Sequence, residues 1–254
     1  MNIVGRLVLL FLVFATTVLA QDYTIKELLS HNSDTQILSK LLEKSEYSEL
    51  ATLLNDRIHG YTLFAPSDTA LRSILENDNH ASNASLILNT LYYHIIHGPV
   101  RSEYLLPVQF PETLLTNPGF VNLPGNNSGQ VVAVVKDQNE VTLYDGAATL
   151  NELVRVIQAD LNANNGIVHI IDHVLIPPTS VTSTVRAANL TMFYTAINAT
   201  NITNGVDTAK GITIFAPSNE ALLSALKEGQ DLNSSIKTIK NILEYHILNE
   251  GTCN

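Results

Sequence analysis

The chain has 254 residues, of which 45% are hydrophobic and 15% are charged. This composition suits one or two packed domains and excludes wholesale disorder. The formal charge of -10 at pH 7, with no cluster of Lys and Arg, argues against nucleic acids and anionic membrane surfaces as partners. We therefore expect a soluble, acidic protein.

Residues 1–20 have the features of a signal peptide. Arg6 precedes an apolar run over residues 7–15, and small residues lead to Ala20 and Gln21. The run is shorter than the roughly 20 apolar residues that a transmembrane helix needs, so we predict cleavage after Ala20 and secretion. Since no second long apolar run and no C-terminal hydrophobic tail is present, we predict neither a membrane span nor a lipid anchor.

Acceptor sequences for N-glycosylation agree with a secreted protein. They begin at Asn83, Asn126, Asn189, Asn198, Asn201 and Asn233. Asn83 and Asn126 lie in loop-like sequence, whereas Asn198 and Asn201 are close enough for two glycans to compete. Cys253 is the single cysteine, so an intramolecular disulfide is excluded, and pairing between chains stays open.

Apolar residues at helical spacing predict three short helices near the start of the mature chain. They involve Ile25, Leu28 and Leu29, then Ile37, Leu38, Leu41 and Leu42, then Leu50, Leu53 and Leu54. A strand follows from Tyr61, Pro66 stops it, and Ser67 is placed to cap a helix. A second strong helix is expected over Ser85 to His97, ended by Gly98.

Proline and glycine punctuate residues 99–125, which predicts a long irregular region. Strands are then expected over 131–135 and 141–144, followed by an apolar segment at about 153–159. The Asn-Gly pair at 165–166 is typical of a tight hairpin turn, so a returning strand should cover 167–176. Residues 179–184 have the composition of a linker, and a helix is expected around 190–197.

The stretch Tyr61–Leu71, YTLFAPSDTAL, returns as ITIFAPSNEAL at residues 212–222. A second helix with Ile236, Ile239, Leu243 and Ile247 then follows, as it does after the first copy. No glycine flanks Ser67 as a nucleophile elbow requires. The repeat therefore predicts two domains, each with a strand-to-helix joint, and Ser67 is interpreted as a helix cap.

Three ordered motifs carry a family resemblance: FAPS with Ala70 and Leu71, then Tyr93-His94, then NGIVHIIDHVLIP at 165–177. In this order they resemble a fasciclin-like domain. The resemblance covers essentially all of 22–178 and implies an α+β fold, with several short helices packed on a β-sandwich wedge. It also implies a non-enzymatic role in adhesion, extracellular matrix or cell-wall organisation, without a cofactor, and with extracellular proteins or polysaccharides as partners.

We expect a complete fasciclin-like domain over 21–178 and a partial one over 179–254. Phe215-Ala216-Pro217-Ser218 and Tyr245-His246 are present in the second, but nothing in it corresponds to residues 99–178. A half-domain leaves sheet edges and apolar faces unpaired. We therefore expect a truncated product, an incomplete gene model, or completion by another chain, with self-association through this domain as one consequence.

The resemblance associates Tyr93-His94 and Tyr245-His246 with binding to cell-surface receptors. His94 shares an apolar helical stripe with Ile87, Leu91 and Ile95. Buried polar groups are normally hydrogen-bonded, so we interpret this histidine as structural. The neighbouring tyrosine, at the edge of the stripe, is the better candidate for contact with a partner.

Other histidines allow a metal site or a catalytic site to be considered. His94 and His97, or His169 and His173, lack Cys or carboxylate neighbours at convincing ligand spacing. Asp172 points away from both strand histidines, so a local triad is not expected, and we predict no catalytic or metal-binding residue. The alternative function is a secreted hydrolase or a carbohydrate or small-ligand binder with a cleft near His169 and Asp172.

Overall fold

The computed structural model describes residues 22–76, 83–124, 128–138, 140–146, 153–227 and 236–249. The predicted signal peptide with its cleavage site at Ala20 and Gln21, the acceptors Asn126 and Asn233, and Cys253 lie outside these residues. We refer to residues 22–178 as the first unit and to residues 180–249 as the second unit.

The first unit begins with the three predicted helices, α1 (Ile25–His31), α2 (Gln36–Leu41) and α3 (Ser48–Asn55). A capping box starts α1: the Glu27 amide donates to Thr24 Oγ1 at 3.2 Å, and the Thr24 amide donates to Glu27 Oε2 at 2.8 Å. These bonds satisfy amides that have no partner within the helix. The apolar faces of the helices share one core with strand residues such as Leu63 and Val168.

A seven-stranded sheet has the order β2-β1-β7-β6-β5-β4-β3. Its strands are β1 (Tyr61–Pro66), β2 (Ile95–His97), β3 (Val108–Gln109), β4 (Ala133–Asp137), β5 (Glu140–Tyr144), β6 (Val154–Ala163) and β7 (Gly166–Ile171). Strand β1 is parallel to β7 and antiparallel to β2. Its six residues are all buried, because helices and strands cover both of its faces.

Strand β6 bends the sheet. Its pairing with β7 shifts register between Val156 and Gln158 and again between Gln158 and Leu161, and such irregularities kink a strand and increase its twist. Phe64 of β1 and Ile171 of β7 consequently share a core with Val134 of β4 and Leu143 of β5. The two halves of the bent sheet enclose this core as a wedge, which confirms the predicted α+β fold.

Two helices flank the wedge, α4 (Asp68–Leu75) and α5 (Ala84–Tyr93). The predicted helix over Ser85 to His97 was wrong at its end, since Ile95–His97 form β2. Ile95 pairs with Leu63, and His97 pairs with Tyr61. The ladder with β1 outweighs the helical spacing, and β-branched isoleucine favours a strand. Gly98, with φ +82°, turns the chain after β2 and does not end a helix.

The second unit repeats the first half of this arrangement. It contains α6 (Val181–Ala187), α7 (Thr191–Ala199), α8 (Thr203–Thr208), β8 (Ile212–Ile214), α9 (Asn219–Lys227), α10 (Ile236–Tyr245) and β9 (Ile247–Asn249). Strands β8 and β9 pair as β1 and β2 do. Phe193, Ile197 and Leu243 centre a core of its own. The linker predicted over 179–184 was too long, because Ser180 caps α6 through the Ser183 amide at 3.3 Å.

Candidate functional site

The repeated stretch is a strand-to-helix joint in both units. Ser67 Oγ accepts the Ala70 amide at 3.2 Å, and Ser218 Oγ accepts the Ala221 amide at 3.1 Å. Both serines therefore cap the following helix, as the sequence indicated. A backbone bond adds to each joint: the Phe64 amide donates to His94 O at 2.9 Å, and the Phe215 amide to His246 O at 2.9 Å.

The residue after each serine has a second role that sequence reasoning missed. Asp68 Oδ1 accepts the Ile37 amide of α2 at 2.7 Å. In the second unit, Asn219 Oδ1 accepts the Met192 amide of α7 at 3.0 Å. Neither α2 nor α7 has a side-chain cap of its own. The joint therefore closes the start of an earlier helix, a contact over about 30 residues that local spacing does not reveal.

Tyr93 and His94 lie inside the first unit. Tyr93 is 1% exposed, and its hydroxyl donates to Val131 O at 2.9 Å. This differs from the predicted place at the edge of the stripe and puts the ring out of reach of a partner. His94 is fully buried: its Nε2 accepts the Leu175 amide at 2.9 Å, so Nδ1 carries the proton and donates to Thr90 O at 2.7 Å.

Burial determines the charge state of this pair. Desolvation lowers the pKa of His94 to about 4, against a smaller opposing effect of the bond to Thr90. Desolvation also raises the pKa of Tyr93, and Asp145 adds to this rise. Both side chains are therefore neutral near pH 7. They connect α5 to Val131 and to the segment after β7, which is a structural role.

Tyr245 and His246 occupy the same positions in the second unit but have a different environment. His246 Nδ1 contacts Ile242 O at 2.7 Å, as His94 contacts Thr90 O. The Tyr245 ring is 88% exposed, and His246 is half-buried. Of the two predicted tyrosines, only Tyr245 is at the surface.

His169 and Asp172 do not form an acid–base pair. His169 is 2% exposed, its Nδ1 accepts the Asp160 amide at 3.2 Å, and its Nε2 donates to Val100 O at 2.9 Å. Asp172 Oδ1 accepts the Arg155 amide at 2.7 Å and contacts His173 Nδ1 at 2.9 Å. The prediction that Asp172 points away from both histidines was therefore wrong for His173, because the strand ends at Ile171 and its alternation does not extend to these two residues. Both ring nitrogens of His169 are engaged by the backbone, so the structure does not bring His169 and Asp172 together as an acid and a base.

Within the described residues, no group of three or more His, Cys, Asp or Glu side chains is arranged to hold a metal ion. In the same part of the chain, no helix combines the length and apolar character needed to cross a membrane. The predicted glycosylation acceptors that are described, Asn83, Asn189, Asn198 and Asn201, are all exposed. Asn83 also caps α5 through the Leu86 amide at 3.0 Å.

Asn165 is a buried polar residue that forms the β6–β7 turn and also binds distant backbone groups. Its Oδ1 accepts the Ile25 amide at 2.7 Å, and its Nδ2 donates to Leu54 O at 3.0 Å and to Asp56 O at 2.7 Å. One side chain thus joins the β6–β7 turn to the start of α1 and the end of α3. The Asn-Gly signal predicted the turn, but no sequence pattern pointed to these distant partners.

An apolar ridge lies along the segment that contains β3. We define it as Leu106, Val108 and Phe110, whose side chains are 60%, 54% and 65% exposed. Their alternate spacing places them on one face of an extended chain. Strand β3 pairs with β4 and ends the sheet. Large exposed apolar groups at a sheet edge are typical of contact surfaces, and the ridge was not singled out from the sequence.

Comparison with known proteins connects this architecture to a family. The model of the fasciclin domain matches residues 33–177 and 188–254. A fasciclin-like arabinogalactan protein of Arthroderma benhamiae is 33% identical over 222 residues, which are 81% of this chain and 51% of that protein. Human periostin is 28% identical over 218 residues, covering 82% of this chain and 23% of periostin.

The chain spans about half the length of the fungal relative and a smaller share of periostin. Among solved structures, the FAS1 domain pair from the insect cell adhesion molecule Fasciclin I covers 85% of this chain and 73% of its own, with 20% identity and a TM-score of 0.46. The two segments matched by the family model each contain one copy of the joint described above. The chain therefore belongs to the fasciclin domain family.

Proposed function

We propose that the protein is a secreted, N-glycosylated and non-enzymatic adhesion module of the extracellular matrix or cell wall. The observation that carries this proposal is the apolar ridge. Leu106, Val108 and Phe110 expose more than half of their side chains beside a strand that pairs on one side. Such a surface suits the apolar side chains of another extracellular protein, because burying it removes hydrocarbon from water.

Membership of the same family as the relatives supports an adhesion role. In this chain, however, the residues of the family motifs stabilise the fold. Ser67 caps a helix, and His94 and Tyr93 hold backbone groups in the interior. Binding to a partner must therefore involve surface residues that the fold positions. Repetition of the domain increases the strength of weak contacts through effective concentration.

A binding assay with the full secreted chain tests the ridge. Beads coated with the protein are mixed with beads carrying matrix proteins, and retention is compared for the wild type and the triple variant Leu106→Ser, Val108→Thr, Phe110→Ser. We expect at least a tenfold loss of retention with unchanged thermal unfolding. Ile157→Ser is the matched control, since Ile157 is 55% exposed on β6, away from the ridge. Equal retention by the triple variant would refute the proposed surface.

Secretion and glycosylation are tested separately. Asn83, Asn189, Asn198 and Asn201 are exposed, so each side chain is accessible to a glycosyltransferase. Glycosidase treatment of protein from the culture medium should lower its mass, and peptide mapping should find unequal occupancy at Asn198 and Asn201. Retention of the chain inside the cell would contradict the proposal.

We further propose that copies associate through the second unit. Phe215 is 62% exposed, Tyr245 is 88% exposed and Leu248 is 40% exposed, and exposed apolar groups of this size favour association. Sedimentation velocity of the full chain should show concentration-dependent oligomers that Phe215→Ser with Tyr245→Ser abolishes. Ile157→Ser again serves as the control. A wild type that stays monomeric at high concentration would exclude this mode of association.

The domain boundary at residues 178 and 179 is likewise a proposal, supported by the two separate cores. We propose domains over 21–178 and 179–254, since Leu175 closes the first core against His94 and helix α6 starts at Val181. Fragment 21–178 should unfold cooperatively at the temperature of the first unit in the full chain. If this fragment does not fold, the boundary between the two domains must lie elsewhere.

A further inference from the structure

A groove lies at one end of the sheet, where three segments of the first unit meet. They are residues 57–60 before β1, residues 99–104 after β2, and the β6–β7 turn at 162–167. The groove has a volume of about 600 Å³, which is in the range of ligand sites. Its lining includes no residue of the apolar ridge and neither of the buried histidines.

Cationic side chains line this groove in an acidic protein. Arg57 and Arg101 are among its lining residues, and none of the lining residues is Asp or Glu. This contrasts with the whole chain, in which 24 acidic residues exceed 14 basic ones. A local cationic lining of this kind attracts an anionic ligand by charge complementarity.

Nearby carboxylates contact Arg57 and the ring of His59. Arg57 reaches Asp22 at 3.1 Å and Glu27 at 3.5 Å, and His59 reaches Asp56 at 2.5 Å. The Arg57 and Asp22 side chains are 53% and 72% exposed, and exposed pairs contribute only about 0–1 kcal/mol. A ligand carboxylate can therefore replace Asp22 at the guanidinium with little loss.

Arg101 has a neutral partner. One of its terminal nitrogens donates to Asn162 Oδ1, an amide that does not neutralise the guanidinium. Asp160 lies close to Arg101 and weakens its positive electrostatic potential. The Asp160 carboxylate, however, already accepts the Ser102 amide at 2.7 Å and the Ser102 hydroxyl. The remaining donors of Arg101 can serve a planar, bidentate anion such as a carboxylate.

The rest of the lining suits a sugar. Asn162 and Asn164 are exposed, and an amide both donates and accepts hydrogen bonds, as a sugar hydroxyl does. Tyr104 is 71% exposed, and Ile58 is 86% exposed. An exposed aromatic ring beside hydrogen-bonding groups offers a flat surface for the C–H face of a pyranose.

We propose that this groove binds acidic saccharides, with uronate carboxylates on Arg57 and Arg101 and a sugar ring against Tyr104. The lining offers the side-chain amides of Asn162 and Asn164 and the exposed ring of Tyr104, which match the hydroxyls and the ring face of a sugar. This favours a polyol over an acidic peptide. The inference names a ligand class for the proposed adhesion module, and it uses other residues than the ridge.

Calorimetric titration of the full chain with oligogalacturonate tests the site. Arg57→Gln and Arg101→Gln should each weaken binding about tenfold, the loss expected for one charge-assisted hydrogen bond, and Tyr104→Ala should weaken it further. Arg155→Gln is the matched control, because Arg155 is 53% exposed and pairs with Glu140 elsewhere on the sheet. Thermal unfolding of each variant verifies that the fold is intact.

Two further probes separate charge from sugar recognition. Methyl-esterified oligogalacturonate keeps the rings but loses the carboxylates, and polyglutamate keeps the carboxylates but lacks the rings. We expect weak binding of both. Tight binding of polyglutamate would mean that the groove binds acidic peptides and not saccharides. An equal loss of oligogalacturonate affinity in Arg155→Gln would exclude a defined site. The ridge variant should bind oligogalacturonate normally, so failure of the ridge and failure of the groove are distinguishable.

Discussion

The two copies of the joint have the same hydrogen bonds and different surroundings. In each unit a serine caps the helix, a histidine contacts the carbonyl four residues earlier, and the histidine carbonyl accepts the phenylalanine amide. Phe64 is nevertheless 1% exposed, whereas Phe215 is 62% exposed. The motif therefore encodes the local turn, and burial of the motif requires other strands.

The strands that bury Phe64 come from the second half of the first unit. Val134, Leu143 and Ile171 pack in the same core as Phe64, and Leu175 supplies the amide that binds His94 Nε2. In the described part of the second unit, no strand lies against Phe215. A recurring pair such as Tyr-His can thus be internal in one repeat and exposed in the next, so recurrence alone does not identify a binding site.

The largest expected difference concerns the phenylalanines. Phe64→Ala should destabilise the first unit by about 3–5 kcal/mol, because it removes a buried ring and leaves a cavity. Phe215→Ala should cost less than about 1 kcal/mol, as surface substitutions usually do. Native-state hydrogen exchange on peptides from each unit reads the two effects separately. Equal losses would mean that Phe215 is buried in solution.

The next effect is a pH dependence that belongs to the first unit. Native His94 has a pKa of about 4, against about 6.5 in the unfolded chain. Below pH 6.5 the unfolded state binds the proton more readily, so stability is complete above pH 6.5 and decreases as the pH falls towards 4. The loss amounts to about 3 kcal/mol, and burial lowers the pKa of His169 in the same direction.

Unfolding of the full chain between pH 4 and pH 7 measures this dependence. His94→Gln should reduce the slope of stability against pH without removing it, because His169 still contributes. His246→Gln is the matched control, since His246 lies in the second unit and is half-buried. An unchanged slope in His94→Gln would show that His94 binds its proton equally well in the native and unfolded states.

Much of the first unit could be predicted from the sequence, because its signals are local. The spacing around Leu29, Leu38 and Leu54 predicted the helices α1 to α3, and the Asn-Gly pair predicted the β6–β7 turn. The strand Ile95–His97 was missed, since its pairing with β1 depends on a partner more than 30 residues away. Long-range pairing outweighed helical periodicity at this point.

The candidate sites were less predictable for the same reason. His94 was correctly interpreted as hydrogen-bonded in the interior, because its helical stripe is apolar. Tyr93 was placed wrongly, since its acceptor, Val131 O, comes from a distant loop. The groove around Arg57 and Arg101 joins residues that are far apart in sequence, and no spacing rule connects them. The alternation of apolar residues over 106–110 does not show that their side chains are exposed. Their exposure depends on the position of β3 at the edge of the sheet.

A smaller difference is expected at the residue after the capping serine. Asp68→Ala should destabilise the first unit by about 1–2 kcal/mol, because α2 loses a charge-assisted bond to its Ile37 amide. Asn219→Ala should cost the second unit about 1 kcal/mol, since a neutral amide serves Met192 there. Asp68→Asn should recover part of the loss. Chemical denaturation measures the stability of all three variants. A larger destabilisation by Asn219→Ala than by Asp68→Ala would contradict this expectation.

The smallest difference should occur at the two capping serines themselves. Ser67→Ala and Ser218→Ala each remove one side-chain acceptor at 3.2 Å and 3.1 Å from a helix amide, and such a cap contributes about 1 kcal/mol. Ser67 is 7% exposed, whereas Ser218 is exposed, so water can replace the lost bond more easily in the second unit. Hydrogen exchange at the Ala70 and Ala221 amides reports each cap directly. Similar losses would show that the joint folds by local bonds in both units, and a loss confined to Ser67 would show that the joint depends on the surrounding core.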